Sequence, residues 1–182
     1  MKPLPLSFFA RDTVQVAQEL LGKIIEINGI KARIVETEAY KKDPASHAYT
    51  KTERSQIMYE THGHIYIYLI YGMYHCLNFT TEKDDAGAVL IRAVEPLNNI
   101  HLLQKRRNTT KITNLCSGPG KLCQALGLSK NHNEQPIGKD LHVYDDNFNP
   151  TSIAKSPRIG ISIGTELEWR FYIKDNPFVS KR

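Results

Sequence analysis

No apolar run in this 182-residue chain approaches the ~20 residues of a membrane-spanning helix, so no bilayer-embedded segment is expected. Cysteine is scarce. Cys76, Cys116 and Cys123 form no CxxC pair, and an odd count argues against a disulfide framework and for a reducing compartment. The opening MKPLPLSFFARDTVQ lacks a continuous apolar stretch and a small-residue cleavage site, so no secretory signal is expected. Internal repeats, low-complexity tracts and linkers are absent as well. Apolar residues at 41% and charged residues at 24% exclude a disordered chain. What remains is one globular domain over residues 1–182, long enough for a substantial core.

Two ligand classes also lack their signatures. His62 and His64, with His47 and His75 elsewhere, match no zinc spacing, so no metal is expected. SGPGKLCQAL is not a nucleotide phosphate loop, because Leu122 stands where Ser or Thr should follow Gly120-Lys121. A more general property survives: free N–H groups at a helix start, with Lys121 beside them, can hold one phosphate. No organic cofactor is expected.

The chain does have a local excess of positive charge. Between His101 and Lys139 seven Lys/Arg face Glu134 alone, while the overall net charge is +5. The rest of the chain is therefore near neutral, and the basic zone suits a polyanionic partner. Tyrosine is concentrated too. IYIYLIYGMYHCLN holds four of the nine tyrosines within nine positions, at Tyr66, Tyr68, Tyr71 and Tyr74.

The pattern of elements predicts an α+β fold: a single domain with a largely antiparallel, curved sheet flanked by helices and a projecting β-hairpin. Asp12 and Gln15 suggest a capping box ahead of a helix over TVQVAQELLG. KIIEIN and IKARIVETEAY form a hairpin about Gly29, and residues 41–64 read as a long irregular connection. IYIYLIYG and YHCLNFTTE form a second hairpin with Gly72 at its tip, followed by a strand in GAVLIRAVEPL. NNIHLLQKRR and the segment after SGPG are helical, and DLHVYDD, RIGISI and WRFYIK are late strands.

In RIVETEAY, side chains two apart share a strand face, which aligns Glu36, Glu38 and Tyr40. Two carboxylates and a phenol are either a solvent-facing edge or an acid/base site. Tyr71 opens the Gly72 turn, where a large ring gains little from burial and can act as a wedge between base pairs. Aromatic rings elsewhere could stack an extruded base.

RIVETEAY, the following His47, YIYLIYGMYHCLN, AVLIRAVEP, LCSGPGKLCQAL and PRIGIS…WRFYIKDNPFVS occur in this order in the alkyladenine (3-methyladenine) DNA glycosylase family. The chain resembles that family over nearly its whole length, as a compact member without the N-terminal extension of mammalian relatives. By position, the resemblance implies that Glu38 activates the attacking water. It implies that Tyr40, His47 and Tyr68 line the flipped-base pocket, and that Asn78 excludes the guanine amino group. Tyr71 would fill the gap in the duplex, Met58 would touch the opposite strand, Arg92 would support the water and sugar-phosphate, and Lys121 would lie near backbone phosphate.

The resemblance further implies a monofunctional glycosylase that excises alkylated purines from double-stranded DNA, as a monomer, with no metal, cofactor or membrane. Its place would be the cytoplasm and nucleoid of a bacterium, or the nucleus of a eukaryote. Two other readings use the same residues. One is a hydrolase acting on a sugar or free nucleoside through Glu36 and Glu38, about 6.5 Å apart on a strand. The other is a non-catalytic nucleic-acid module built on the aromatic hairpin and the basic zone.

Overall fold

Eleven residues, Ile30–Tyr40, form the strand about which the molecule is arranged. The computed structural model describes residues 1–181. In chain order the elements are β1 (Lys2–Pro3), α1 (Thr13–Glu19), β2 (Ile24–Ile27), β3 (Ile30–Tyr40), α2 (Gln56–Glu60), β4 (Ile65–Ile70) and β5 (Tyr74–Thr81). β6 (Gly87–Pro96), α3 (Ile100–Arg107), α4 (Pro119–Leu126), β7 (Leu141–Asp145), β8 (Ile153–Ser156) and β9 (Arg170–Ile173) complete it. The strands form one sheet in the order β1-β7-β2-β3-β6-β5-β4, with β8 and β9 branching from β3, and every pairing is antiparallel.

One edge of β3 changes partner along its length. Residues 30–33 pair with β2, and Glu36–Glu38 pair with β9. Its other edge stays on β6, with register shifts between Ile34 and Thr37 that leave Val35 and Arg92 as extra residues. Bulges bend and twist a strand, so the sheet curls where β3 passes from one neighbour to the next. The shift also ends the alternation of burial. From Ile34 to Ala39 every residue of β3 is buried.

Helices α1 and α4 cover the sheet, α1 against β3 and β6, α4 against β5 and β6, with α3 on α4. Phe9 and Phe79 meet edge to face at 5.8 Å inside this core. A smaller cluster joins Ala48 and Met58 of the 41–64 segment to Tyr66, Ala86 and Ala88.

Most expected elements are present, with three differences. The capping box is half formed: Asp12 Oδ1 accepts the Gln15 N–H at 3.0 Å, but the Gln15 side chain donates to Glu19 instead of returning to Asp12. Residues 41–64 are not wholly irregular, since they contain α2 and a 3-10 turn at His47–Tyr49. RIGISI is not a strand; the preceding Ile153–Ser156 is. The Ile159 N–H is drawn off to a side-chain carboxylate, so that segment never joins the ladder.

Candidate active site

The bulged centre of β3 gathers the charges. Glu36 and Glu38 are both fully buried, which rules out the solvent-edge reading of VETEAY. Unpaired, two interior carboxylates would be prohibitively costly. Arg92, swung inward at the β6 bulge, bridges them, with Nε 3.2 Å from Glu36 Oε1 and Nη1 3.3 Å from Glu38 Oε2. Arg170 on β9 adds a second guanidinium, 2.7 Å from Glu36 Oε1. Two buried carboxylates thus face two buried arginines.

Their surroundings differ. Glu36 Oε1 also accepts the Ser180 hydroxyl at 2.9 Å, and Oε2 accepts the Ser180 N–H at 2.6 Å. With four donors on two oxygens, Glu36 is a structural hub, and the two-carboxylate hydrolase loses its second group. Glu38 Oε2 accepts from Arg92 and from the Tyr40 hydroxyl at 2.8 Å, whereas Oε1 accepts only the Ile159 N–H, at 2.7 Å, among the described residues. Burial pushes the Glu38 carboxyl above its ordinary range, against the pull of Arg92, the Ile159 N–H and Tyr40; the Glu36 charge adds to the rise.

Tyr40 joins this network to a cavity of about 100 Å³. The expected pocket residues Tyr40, His47, Tyr68 and Asn78 all line it, together with Tyr66 and Met58. Glu38 lies one hydrogen bond behind that lining, through the Tyr40 hydroxyl. Alternation along β4 puts Tyr66 and Tyr68 on one face, their rings 5.4 Å apart, and the His47 ring meets Tyr68 edge-on at 4.7 Å. His47 Nδ1 is 2.8 Å from the Tyr66 hydroxyl. Burial first, then the nearby Arg54, lowers the His47 pKa to about 4, so the ring is neutral at physiological pH. The Asn78 amide nitrogen donates to the carbonyls of Tyr66 at 3.0 Å and Cys76 at 3.3 Å. Two acceptors on that side fix the amide orientation and leave Oδ1 without a donor among the described residues. A larger groove of about 880 Å³ shares Tyr66 and Tyr68 with the cavity, but none of the buried carboxylates lines it.

Met58 is not where the resemblance implied. It is 2% exposed, on the inward face of α2 in the small core, so it cannot touch an opposite DNA strand. An exposed methionine near the hairpin tip is Met73, at 65%, beside Tyr71, at 89%, in the turn between β4 and β5. Tyr71 adopts φ +52°, a conformation uncommon for a bulky residue and one that costs energy.

Lys121 is in the first turn of α4, its Nζ bonded to Asn114 and Ser117. Burial, with Arg107 and Lys111 nearby, lowers its pKa, which marks a local concentration of positive charge. The basic zone is otherwise partly structural: Arg106 donates to the Ala125 carbonyl at 2.8 Å, fastening α3 to α4, and Arg107 donates to the Leu115 carbonyl at 3.1 Å in the connection between them.

Several site residues have no local signal in the sequence. Ile159, Arg170 and Ser180 reach Glu36 or Glu38 from 121 to 144 residues away. Arg54, 5.0 Å above the Tyr68 ring, comes from the 41–64 segment. Only Tyr66 could have been found beforehand, by its alternation with Tyr68.

Comparison with known proteins identifies the family. The methylpurine-DNA glycosylase (MPG) family model matches residues 7–177. A Clostridium novyi protein is 45% identical, with both chains covered over 100% of their length. A Clostridium perfringens protein is 46% identical over 96% of this chain and 97% of its own, and a Chlorobaculum tepidum protein 45% identical over 100% and 92%. All three are named, provisionally, as 3-methyladenine DNA glycosylases. The chain belongs to the methylpurine-DNA glycosylase family: it is a DNA glycosylase, a hydrolase of alkylated-base repair.

Proposed function

We propose that this glycosylase extrudes an alkylated purine from double-stranded DNA, seats it among Tyr40, His47, Tyr68 and Asn78, and hydrolyses its N-glycosidic bond with Glu38 as general base. The observation that carries the reading is the asymmetry of the buried carboxylates. Glu36 accepts four donors and does not line the cavity, while Glu38 accepts three among the described residues and is linked by Tyr40 to the aromatic cavity.

A damaged base stacks and pairs poorly, so extruding it costs less than extruding a normal one. Alkylation at N3 or N7 makes the purine a cation and a good leaving group. The C1′–N bond breaks with its electron pair passing to the purine, and the sugar acquires oxocarbenium character. Water bonds to C1′ and its proton passes to Glu38. A carboxyl shifted upward by burial is a stronger base for this step, and its charge stabilises the sugar cation. No lysine lines the cavity among the described residues, so Schiff-base strand cleavage is not part of the reading.

Tyr71 and Met73 form the wedge that fills the vacated stack, and Lys121, with Arg107 and Lys111, holds a backbone phosphate. Met58 stiffens the cavity wall. Arg92 holds Glu38 in place between the strands. The chain acts as one domain and as a monomer, and its bacterial relatives favour a place in the bacterial cytoplasm, at the nucleoid. The test is to incubate the protein with duplexes carrying single alkylated adenines or guanines and to measure free base released. Abasic product from these duplexes, but not from undamaged DNA, is the expected result; release of free base from nucleosides alone would overturn the DNA reading.

A further inference from the structure

A second buried ion pair lies beside the site and takes no part in the scheme above. Arg158 and Asp43 are almost fully buried and form a two-pronged contact, Nη2 to Oδ1 at 2.6 Å and Nη1 to Oδ2 at 3.0 Å. Each end serves a different wall of the site. Asp43 Oδ1 also accepts the Ala45 N–H at 3.0 Å, shaping the turn that leads through Ser46 to His47, and all three line the cavity. Arg158 donates to the Ala39 carbonyl at 3.1 Å and lies 4.7 Å from the Tyr40 ring. It immediately precedes Ile159, whose N–H is the one donor on Glu38 Oε1 among the described residues. A buried pair of this kind is poor evidence of stabilisation, because desolvation offsets much of the attraction. Its use here is geometric.

We infer that Asp43 and Arg158 are positioning residues, whose ion pair holds the His47 wall and the Ile159 N–H on Glu38 as one unit, so that seating the base and orienting the carboxylate are set together. The inference rests on Glu38 being the base. If the pair is broken, the 158–159 segment and the 43–47 turn lose their common anchor. Glu38 then loses a hydrogen bond that favours its ionised form, and its pKa rises further. The other groups facing Glu38 are Arg92 from β6, Glu36 and Tyr40 from β3, Tyr68 from β4 and Cys76 from β5, while Arg170 reaches it only through Glu36. Among the described residues, none of these forms a side-chain hydrogen bond or ion pair with Asp43.

The experiment is single-turnover excision of an alkylated adenine from a duplex, followed against pH for wild type, Asp43→Asn and Arg158→Lys, with lesion affinity measured in parallel. In both variants the acidic limb should move upward by about half a pH unit or more. The rate at the optimum should fall about ten- to hundredfold, the scale of a misplaced catalytic group. Preference for lesion over undamaged DNA should weaken in the same variants. Folded variants whose acidic limb and lesion preference match wild type would overturn the inference, leaving the pair as a loop fastener. Should Asp43→Asn fail to fold, Asp43→Glu keeps the charge but displaces Arg158, and the same readouts decide. A wild-type profile with no acidic limb would remove Glu38 as the base, and the pair's role with it; a limb present but unmoved removes the pair alone.

Discussion

Gly120 and Tyr74 are packed so closely that a Cβ at Gly120 would fall 3.0 Å from the Tyr74 Cβ. The first turn of α4 therefore seats directly on the strand that leaves the Tyr71 turn. The proposed wedge and the proposed phosphate cradle thus adjoin, with Lys121 next in the chain. Lys121→Gln should weaken binding to all duplexes and flatten the salt dependence by up to about one unit of log–log slope. Gly120→Ala should keep that slope, because no charge is lost, yet lower lesion excision by displacing the hairpin. Salt titrations of both variants check this; an unchanged slope in Lys121→Gln removes it from the interface.

Tyr71 is nine-tenths exposed and held at φ +52°, so its folded-state contacts contribute little and its backbone is strained. Tyr71→Ala should leave thermal stability nearly intact, and Tyr71→Gly should be no less stable, since glycine tolerates that conformation. Both should reduce the flipped population, most severely for well-stacked lesions. Melting curves and fluorescence of a base analogue at the lesion provide the measurements. A stability loss of about 3–5 kcal/mol, the range for emptying an aromatic core site, would contradict the wedge.

Asn78 faces the cavity with its amide nitrogen tied to two strand carbonyls. In the proposed role, a side chain held by these two bonds crowds a guanine amino group in the cavity. Asn78→Ala should raise excision of guanine lesions relative to adenine lesions by roughly 1–3 kcal/mol in transition-state terms. Equal losses on both substrates in competition assays would assign Asn78 to the fold alone.

His47, neutral in the fold with a pKa of about 4, titrates near 6.5 when unfolded. Between those values the unfolded chain binds the extra proton, so this group's contribution to stability is full above the upper value and is lost as pH falls toward 4. His47→Phe should flatten the melting temperature across that window, relative to wild type.

The sequence carried what local geometry determines. Tyr71 was legible because a bulky ring beside a turn glycine has few reasons to be there, and Glu38 with Tyr40 because strand alternation aligns them. Burial of the two glutamates was not legible, since it follows from bulges at Val35 and Arg92 and from arginines contributed by other strands. The fate of RIGISI was hidden for the same reason: its β pattern is real, but the Ile159 N–H finds a carboxylate from β3 instead of a neighbouring strand. Met58 shows the complementary limit. A position carried over from relatives gives a place in the chain, and only packing shows that the side chain on α2 points inward.

The two glutamates of VETEAY should separate in both stability and activity. The fold raises the pKa of Glu38, so its stability contribution belongs to the protonated form: present below the ordinary carboxyl range and lost as pH rises through the folded value. Its ionisation is a burden on the fold, and Glu38→Gln should melt no lower than wild type. The same change removes the basic oxygen, so single-turnover excision should fall about 10²-fold or more while lesion binding is kept. Glu36→Gln places an amide N–H₂ among four donors and leaves Arg170 without its carboxylate partner. Its cost should be about 3–5 kcal/mol of stability, the scale for breaking a buried pair, with much smaller loss of excision per folded molecule. Melting curves alongside excision rates normalised to folded protein distinguish the two. If Glu36→Gln is folded and inactive while Glu38→Gln excises normally, the general base has been assigned to the wrong carboxylate.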